Sequence, residues 1–109
     1  MTFDEVSALA EETGLPVAYD HFAEGESPDP PFLVFLFPRT DNFFADGQVY
    51  MKIDVLHFEL YTDRKQPDVE AQVEAVLNRH EICYDKTEVW IEDEKLYEVL
   101  YTMEVITDE

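Results

Sequence analysis

Phe32-Leu33-Val34-Phe35-Leu36-Phe37 is the stretch around which the rest of the chain has to be arranged. An unbroken apolar run of this kind loads both faces of an extended strand. The segment therefore belongs inside a sheet, with cover on each side. It falls far short of the about 20 residues a helix needs to cross a bilayer. Pro38, with no amide hydrogen to offer a ladder, is expected to end it.

Upstream, Thr2 and Glu5 have the spacing of a capping box, and Phe3, Val6, Leu9 and Ala10 recur on one helical face. They predict a first helix to about Thr13, with Gly14 placed for a left-handed cap. Leu15-Pro16-Val17-Ala18-Tyr19 reads as a short strand that tolerates Pro near its start. From Asp20 to Pro31 the chain is acidic and carries Gly25, Pro28, Pro30 and Pro31, the composition of a loop.

Downstream, Arg39 to Gln48 reads as a loop and Val49 to about Tyr61 as one long strand. Its pattern changes phase: Val49, Met51, Ile53 and Val55 share one face, then Leu56, Phe58 and Leu60 take the other. That predicts a bulge or bend near Val55 and Leu56. Pro67 suits the first turn of a second helix. Its buried stripe is Val69, Val73, Val76 and Leu77, with Glu70, Gln72 and Glu74 facing out, and it ends near His80. Ile82 to Ile91 and Leu96 to Ile106 then pair across Glu92-Asp93-Glu94-Lys95, with Tyr97, Val99, Tyr101, Met103 and Val105 inward. The tail, residues 107–109, is expected to fray.

The resulting order is α-β-β-β-α-β-β in a single domain, 1–109, without repeats or a linker. Short turns between strands favour a mainly antiparallel sheet with two helices packed on it, an α+β fold. A chain of 109 residues, 46% hydrophobic and 14% aromatic, has the material for one core and is unlike a disordered sequence.

The charge restricts the partners. Asp and Glu number 26 against 7 Lys and Arg, a formal net charge of -19. A nucleic-acid grip needs clustered cations, and here they are scattered among acids. Such a surface keeps a protein dispersed and repels phosphate. The N-terminus, Met1 to Ser7, is acidic and amphipathic, unlike a secretory signal. The single Cys83 excludes an internal disulfide, fits a reducing compartment and reads as a small residue buried in a strand.

No constellation for chemistry is legible. His21, His57 and His80 lack partners at a zinc-ligand spacing, and His80 is explained by its place at a helix C-terminus. Asp41-Asn42-Phe43-Phe44-Ala45-Asp46-Gly47 resembles a calcium loop in composition alone. The carboxylates are expected in solvated turns and on exposed faces, without the shielding a catalytic acid needs. The expectation is a non-enzyme without cofactor or metal. Contact with partners is better supported: adjacent Phe43 and Phe44, with Arg39 nearby, sit in a polar segment where both cannot easily reach the core. They act as anchors for another protein or fold back over one end of the sheet. Asp20 to Pro31 is either a solvated connector or an arm.

The element order, Tyr19-Asp20-His21-Phe22 followed by Gly25 and Pro31-Phe32, Asp41-Asn42-Phe43-Phe44-Ala45-Asp46, Leu60-Tyr61-Thr62-Asp63 and Glu88-Val89-Trp90-Ile91-Glu92 together resemble a family of small minor structural proteins. These belong to the head-tail morphogenesis region of siphophages and prophages of Gram-positive bacteria. The resemblance implies a tail-completion, tail terminator-like protein: a ring, commonly hexameric, that caps the tail tube. Its partners would be the tail tube protein and head-tail connector proteins. It would pass from the host cytoplasm into the virion at the head-tail interface, with no catalytic residues to carry over, no membrane contact and an acidic wall that repels the passing genome. The competing expectation is an acidic DNA mimic that inhibits a host nuclease or restriction enzyme.

Overall fold

The computed structural model describes residues 1–106, and the expected fraying of residues 107–109 lies outside them. The order is α1 (Phe3–Glu11), β1 (Val17–Tyr19), β2 (Phe32–Thr40), β3 (Phe43–Ala45), β4 (Gln48–Met51), β5 (Asp54–Thr62), α2 (Pro67–Arg79), β6 (Asp85–Ile91) and β7 (Leu96–Val105). Five strands form the main sheet in the order β1-β2-β5-β7-β6, and β3 pairs with β4 in a separate ribbon. Only β1 and β2 run parallel; the other pairs are antiparallel. The α+β class is as expected.

β2 lies between β1 and β5, as its two-sided apolar sequence requires. Leu33 and Phe35 enter the main core, while Phe32 and Val34 are buried on the opposite face. Across the sheet, Leu33, Leu60 and Val99 align in one row and Phe35, Phe58 and Tyr101 in the next. Against these rows pack Val6, Leu9 and Ala10 of α1 and Val69, Val73, Val76 and Leu77 of α2. Both helices therefore cover one face of the sheet, each through the stripe its periodicity marks.

The helix ends follow local rules. Thr2 caps α1: its hydroxyl accepts the Glu5 amide at 3.1 Å, and the Glu5 carboxylate accepts the Thr2 amide at 3.2 Å. The helix stops at Glu11, two residues short of the expected end. Gly14 follows with φ +78°, which glycine adopts without strain. In α2, Pro67 occupies the first turn, where its missing N–H costs nothing.

Several expectations need correction. Pro38 does not end its strand; β2 continues to Thr40 through an irregularity between Leu36 and Arg39, a place where the ladder has no use for the absent amide. The expected loop and long strand between Arg39 and Tyr61 resolve into β3, β4 and β5. The strand breaks at Lys52 and Ile53; the phase change lies within a continuous β5, where Val55 and Leu56 bury on opposite faces, and the expected bulge near them is carried by the neighbouring β2, whose register shifts between Leu36 and Arg39, opposite His57 and Val55. β1 and β6 are shorter than expected, at Val17–Tyr19 and Asp85–Ile91. Cys83 is exposed, because it falls in the connection before β6.

Glu70 is also misplaced by the sequence reading. Its side chain is 8% exposed, at the seam between α2 and β6. Lys65 Nζ donates to Glu70 Oε2 at 2.8 Å, and Lys86 Nζ lies 2.7 Å from both Glu70 Oε1 and Glu74 Oε2. Lys65 also pairs with Glu88. The Tyr101 hydroxyl, rising from the core, donates to Glu74 at 2.8 Å. Burial raises the Glu70 and Glu74 carboxyls, but the hydrogen bonds from the lysines, and from Tyr101 to Glu74, outweigh it and hold both below the usual range. Burial likewise opposes the Lys86 charge, yet its two carboxylate partners push the ammonium up to about 12. The helix is thus strapped to an otherwise exposed edge strand.

Candidate interaction surface

Beyond Thr40 and Asp54 the β2 and β5 ribbon leaves the main sheet and continues as β3 and β4. The crossing is clasped at its root: the Asp41 amide donates to Ile53 O at 2.8 Å, and the Ile53 amide donates to Asn42 Oδ1 at 2.9 Å. At the tip Asp46 and Gly47 have φ +53° and +74°, the two left-handed residues of a tight hairpin turn. The ribbon packs chiefly on itself and belongs to a molecule 48 Å long and 23 Å thin.

Neither side of this ribbon is covered. Phe43 meets Tyr50 edge-on at 5.9 Å, and Phe44 lies opposite Val49, on the other side from Phe43. Phe44 is 66% exposed and Tyr50 73%; Phe43, Val49 and Met51 are exposed as well. Phe43 and Phe44 do not fold back over the sheet. Arg39 stands at the root, exposed, opposite Val55 in the β2 and β5 register. The expected trio is therefore split, with two aromatics on the projecting ribbon and the cation at its base.

The exposure of Val49, Tyr50 and Met51 was not anticipated, because the alternation of Val49 and Met51 with Ile53 and Val55 reads as a half-buried strand. The signal that identifies them is Asp46-Gly47 between apolar flanks, a hairpin signature.

The sheet face away from the helices is the second open surface. Its rows are His57 beside Thr102 and Asp85; Glu59 beside Leu100 and Thr87; and Tyr61 beside Glu98 and Val89. The segment from Asp20 to Pro31 is no extended arm: Phe22 packs edge-on against Phe32 at 5.3 Å and covers one end of this face. Phe22, Phe32, Val34, Tyr61 and Leu96 line a hollow of about 210 Å³ there, with Glu59 at its margin.

Carboxylates crowd part of this face. Burial raises the Glu59 carboxyl, the Tyr61 hydrogen bond partly offsets that, and the neighbouring charges of Glu98 and Asp20 push it further up. The single Tyr61 phenol proton is shared between Glu59 Oε1 at 3.0 Å and Glu98 Oε2 at 3.3 Å. Glu59 and Glu70 thus depart from the expectation that every acid sits in solvent. His57 is lowered by burial and by the Arg39 charge, against the pull of Glu98.

A larger cleft, about 640 Å³, lies past the start of β6 and is lined by Arg39, Val55, Ile82, Tyr84, Met103 and Glu104. Glu104 is raised by a hydrogen bond with Asp41 and by its charge, against Arg39. His80 closes the end of α2 as expected, and its Nε2 lies 2.6 Å from Glu12 Oε2, joining the two helix ends. Among the described residues no group of His, Cys, Asp and Glu side chains converges to hold a metal ion, and no helix is long and apolar enough to cross a membrane. The chain matches no family model and no curated protein.

Proposed function

We propose that this chain is an assembly protein that works through surface contact, in the manner of a tail-completion protein closing a phage tail tube. The observation that carries the reading is the β3-β4 ribbon, whose Phe43, Phe44, Val49, Tyr50 and Met51 stand exposed on an otherwise acidic molecule. An isolated two-stranded hairpin is marginal in water, so its apolar sides favour burial against another protein. In this reading Phe43 and Phe44 are anchors, Arg39 supplies a flanking charge, and the tail tube and head-tail connector proteins are the neighbours. The chain contributes no reactive group. Its negative skin keeps the passing genome from sticking.

The test replaces Phe43 and Phe44 together with Ser and measures co-sedimentation with assembled tail tubes. The variant is expected to keep its melting temperature and lose the tails. Binding at the wild-type level would overturn the reading, and inhibition of a nuclease by the purified chain would replace it with DNA mimicry.

A further inference from the structure

We propose that the hollow on the helix-free face of the sheet binds a guanidinium cation, the side chain of an arginine carried by a partner polypeptide. This goes beyond the reading of the ribbon and does not depend on it. The hollow lies at the Phe32 and Tyr61 end of the β2 and β5 ladder, and the ribbon leaves from the other end, past Thr40 and Asp54.

The walls come from three rings. Phe32 and Tyr61 are partners across the ladder and stack at 5.2 Å, with an interplanar angle of 27°. Phe22, from the loop before β2, meets Phe32 edge-on at 5.3 Å and 85°. Two nearly parallel rings and a third set across one of them form an aromatic recess, which Val34 and Leu96 complete. Aromatic faces carry negative charge density and attract cations.

The rim adds full charges. Asp20, Glu59 and Glu94 border the recess, and among the described residues no Lys or Arg lines it. Lys95, next to Glu94 in sequence, is engaged by Glu92, and Arg39 stands at the far end of the face, opposite Val55. His21 Nδ1 lies 2.8 Å from Asp20 Oδ2. Glu59 and Glu98 share the one phenol proton of Tyr61, which cannot fill the acceptor positions of two carboxylates. A guanidinium brings five N–H donors in one plane.

Size and hydration choose the occupant. Pockets for drug-sized ligands run from about 300 to 1,000 Å³, whereas this one, at about 210 Å³, has room for a side chain. An ammonium is compact and strongly hydrated; a guanidinium is flat, holds water more weakly and stacks on rings. The recess therefore selects arginine over lysine. Its surroundings point to a polypeptide as the source. The face continues with half-buried Leu36 and Leu100 and exposed Val89, apolar area that a larger partner covers. Against a net charge of -19, a partner bearing cations is also drawn in rather than repelled.

Peptide titrations followed by NMR test the assignment. The probes are N-acetylated, amidated Gly-Thr-Xaa-Thr-Gly peptides with arginine, lysine or citrulline at the centre, and propylguanidinium as the free cation. Physiological salt screens loose attraction to the exposed acids. The arginine peptide is expected to saturate and to shift the signals of Phe22, Phe32, Tyr61 and Leu96. The lysine peptide and propylguanidinium should bind more weakly, and the citrulline peptide, similar in shape but neutral, should not bind. Tyr61→Phe keeps the ring and should keep the affinity. Phe22→Leu and Tyr61→Leu, each shown by circular dichroism to be folded, should lose about fivefold, and Glu59→Gln about tenfold.

Lysine or citrulline peptides that bind as tightly as arginine, shifts that spread over the acidic surface without saturating, or wild-type affinity in both Phe22→Leu and Tyr61→Leu would each overturn the inference. Propylguanidinium binding as tightly as the arginine peptide would make the occupant a free small cation and overturn the assignment to a polypeptide. The ribbon variant with Phe43→Ser and Phe44→Ser is expected to bind the arginine peptide like wild type. Loss of tail tubes by that variant and loss of arginine at the recess are therefore separate results, and either proposal can fail without the other.

Discussion

Lys86 of β6 and Glu70 of α2 close an ion pair at 2.7 Å across the seam where the second helix meets the edge of the sheet. Glu70 is nearly out of solvent, so its charge depends on Lys86 and on Lys65 from the approach to the helix. Removing one partner leaves a carboxylate without full hydrogen bonding in a partly desolvated place, which costs more than losing a surface pair. Lys86→Met is expected to lower unfolding stability by about 2 kcal/mol in urea titrations, on the scale of a hydrogen bond to a charged group. A loss below about 0.5 kcal/mol would place the pair with ordinary surface substitutions.

The same seam shapes the pH response. Glu70 and Glu74 are held below the usual carboxylate range, so their contribution is present at neutral pH and disappears as pH falls through their depressed values. Glu59 is raised, mainly by burial, and does the reverse: protonating it on mild acidification favours the folded state. Relief of the repulsion within a chain of net charge -19 acts in the same direction. Melting temperature is expected to rise on going from neutral to mildly acidic buffer and then to fall below about pH 4. Glu59→Gln should raise the neutral value and flatten the rise, whereas a steady decline from neutral pH would contradict the assignment.

Gly47 stands at φ +74° at the tip of the ribbon, with no atom near enough to obstruct a side chain. Substitution there tests backbone strain alone. Gly47→Ala is expected to cost about 1 kcal/mol, confined to the ribbon. Hydrogen exchange at the β3 and β4 amides should accelerate while global melting stays put. Equal acceleration across β5 and β7 would mean that the ribbon and the sheet unfold as one unit.

The two faces of the sheet should respond differently to truncation. Leu60 is fully buried under the helices, and Leu100 is half-exposed on the helix-free side. Leu60→Ala is expected to cost about 3 kcal/mol through lost contacts and the cavity left behind. Leu100→Ala should cost less than about 1 kcal/mol in the isolated chain. Denaturant unfolding measures both, and equal costs would show that something covers the second face.

Much of this architecture was legible in residue order because it depends on local periodicity. The Thr2 and Glu5 capping box, Pro67 in the first turn of α2, the helical stripes and the alternation from Tyr97 to Val105 each act over a few residues, where backbone geometry alone decides which side chains share a face. The all-apolar run beginning at Phe32 identified the interior strand for the same reason. Phe43 and Phe44 stood out as adjacent aromatics in a polar segment between strands, but whether they anchor a partner or fold back over the sheet stayed open in the sequence.

Long-range proximity had to come from the tertiary structure. Val49, Tyr50 and Met51 alternate as a half-buried strand would, and only the departure of their ribbon from the main sheet leaves them in solvent. Glu70 has the helical phase of an exposed residue until β6 brings Lys86 over it, and Cys83 is apolar enough for a core but falls in a connection. Glu59, Tyr61 and Glu98 meet because β5 and β7 are neighbours, a pairing set by how the whole sheet closes. Periodicity specifies which way a side chain points from its own strand or helix. What it finds there depends on segments tens of residues away, and that is settled only when the apolar faces come together.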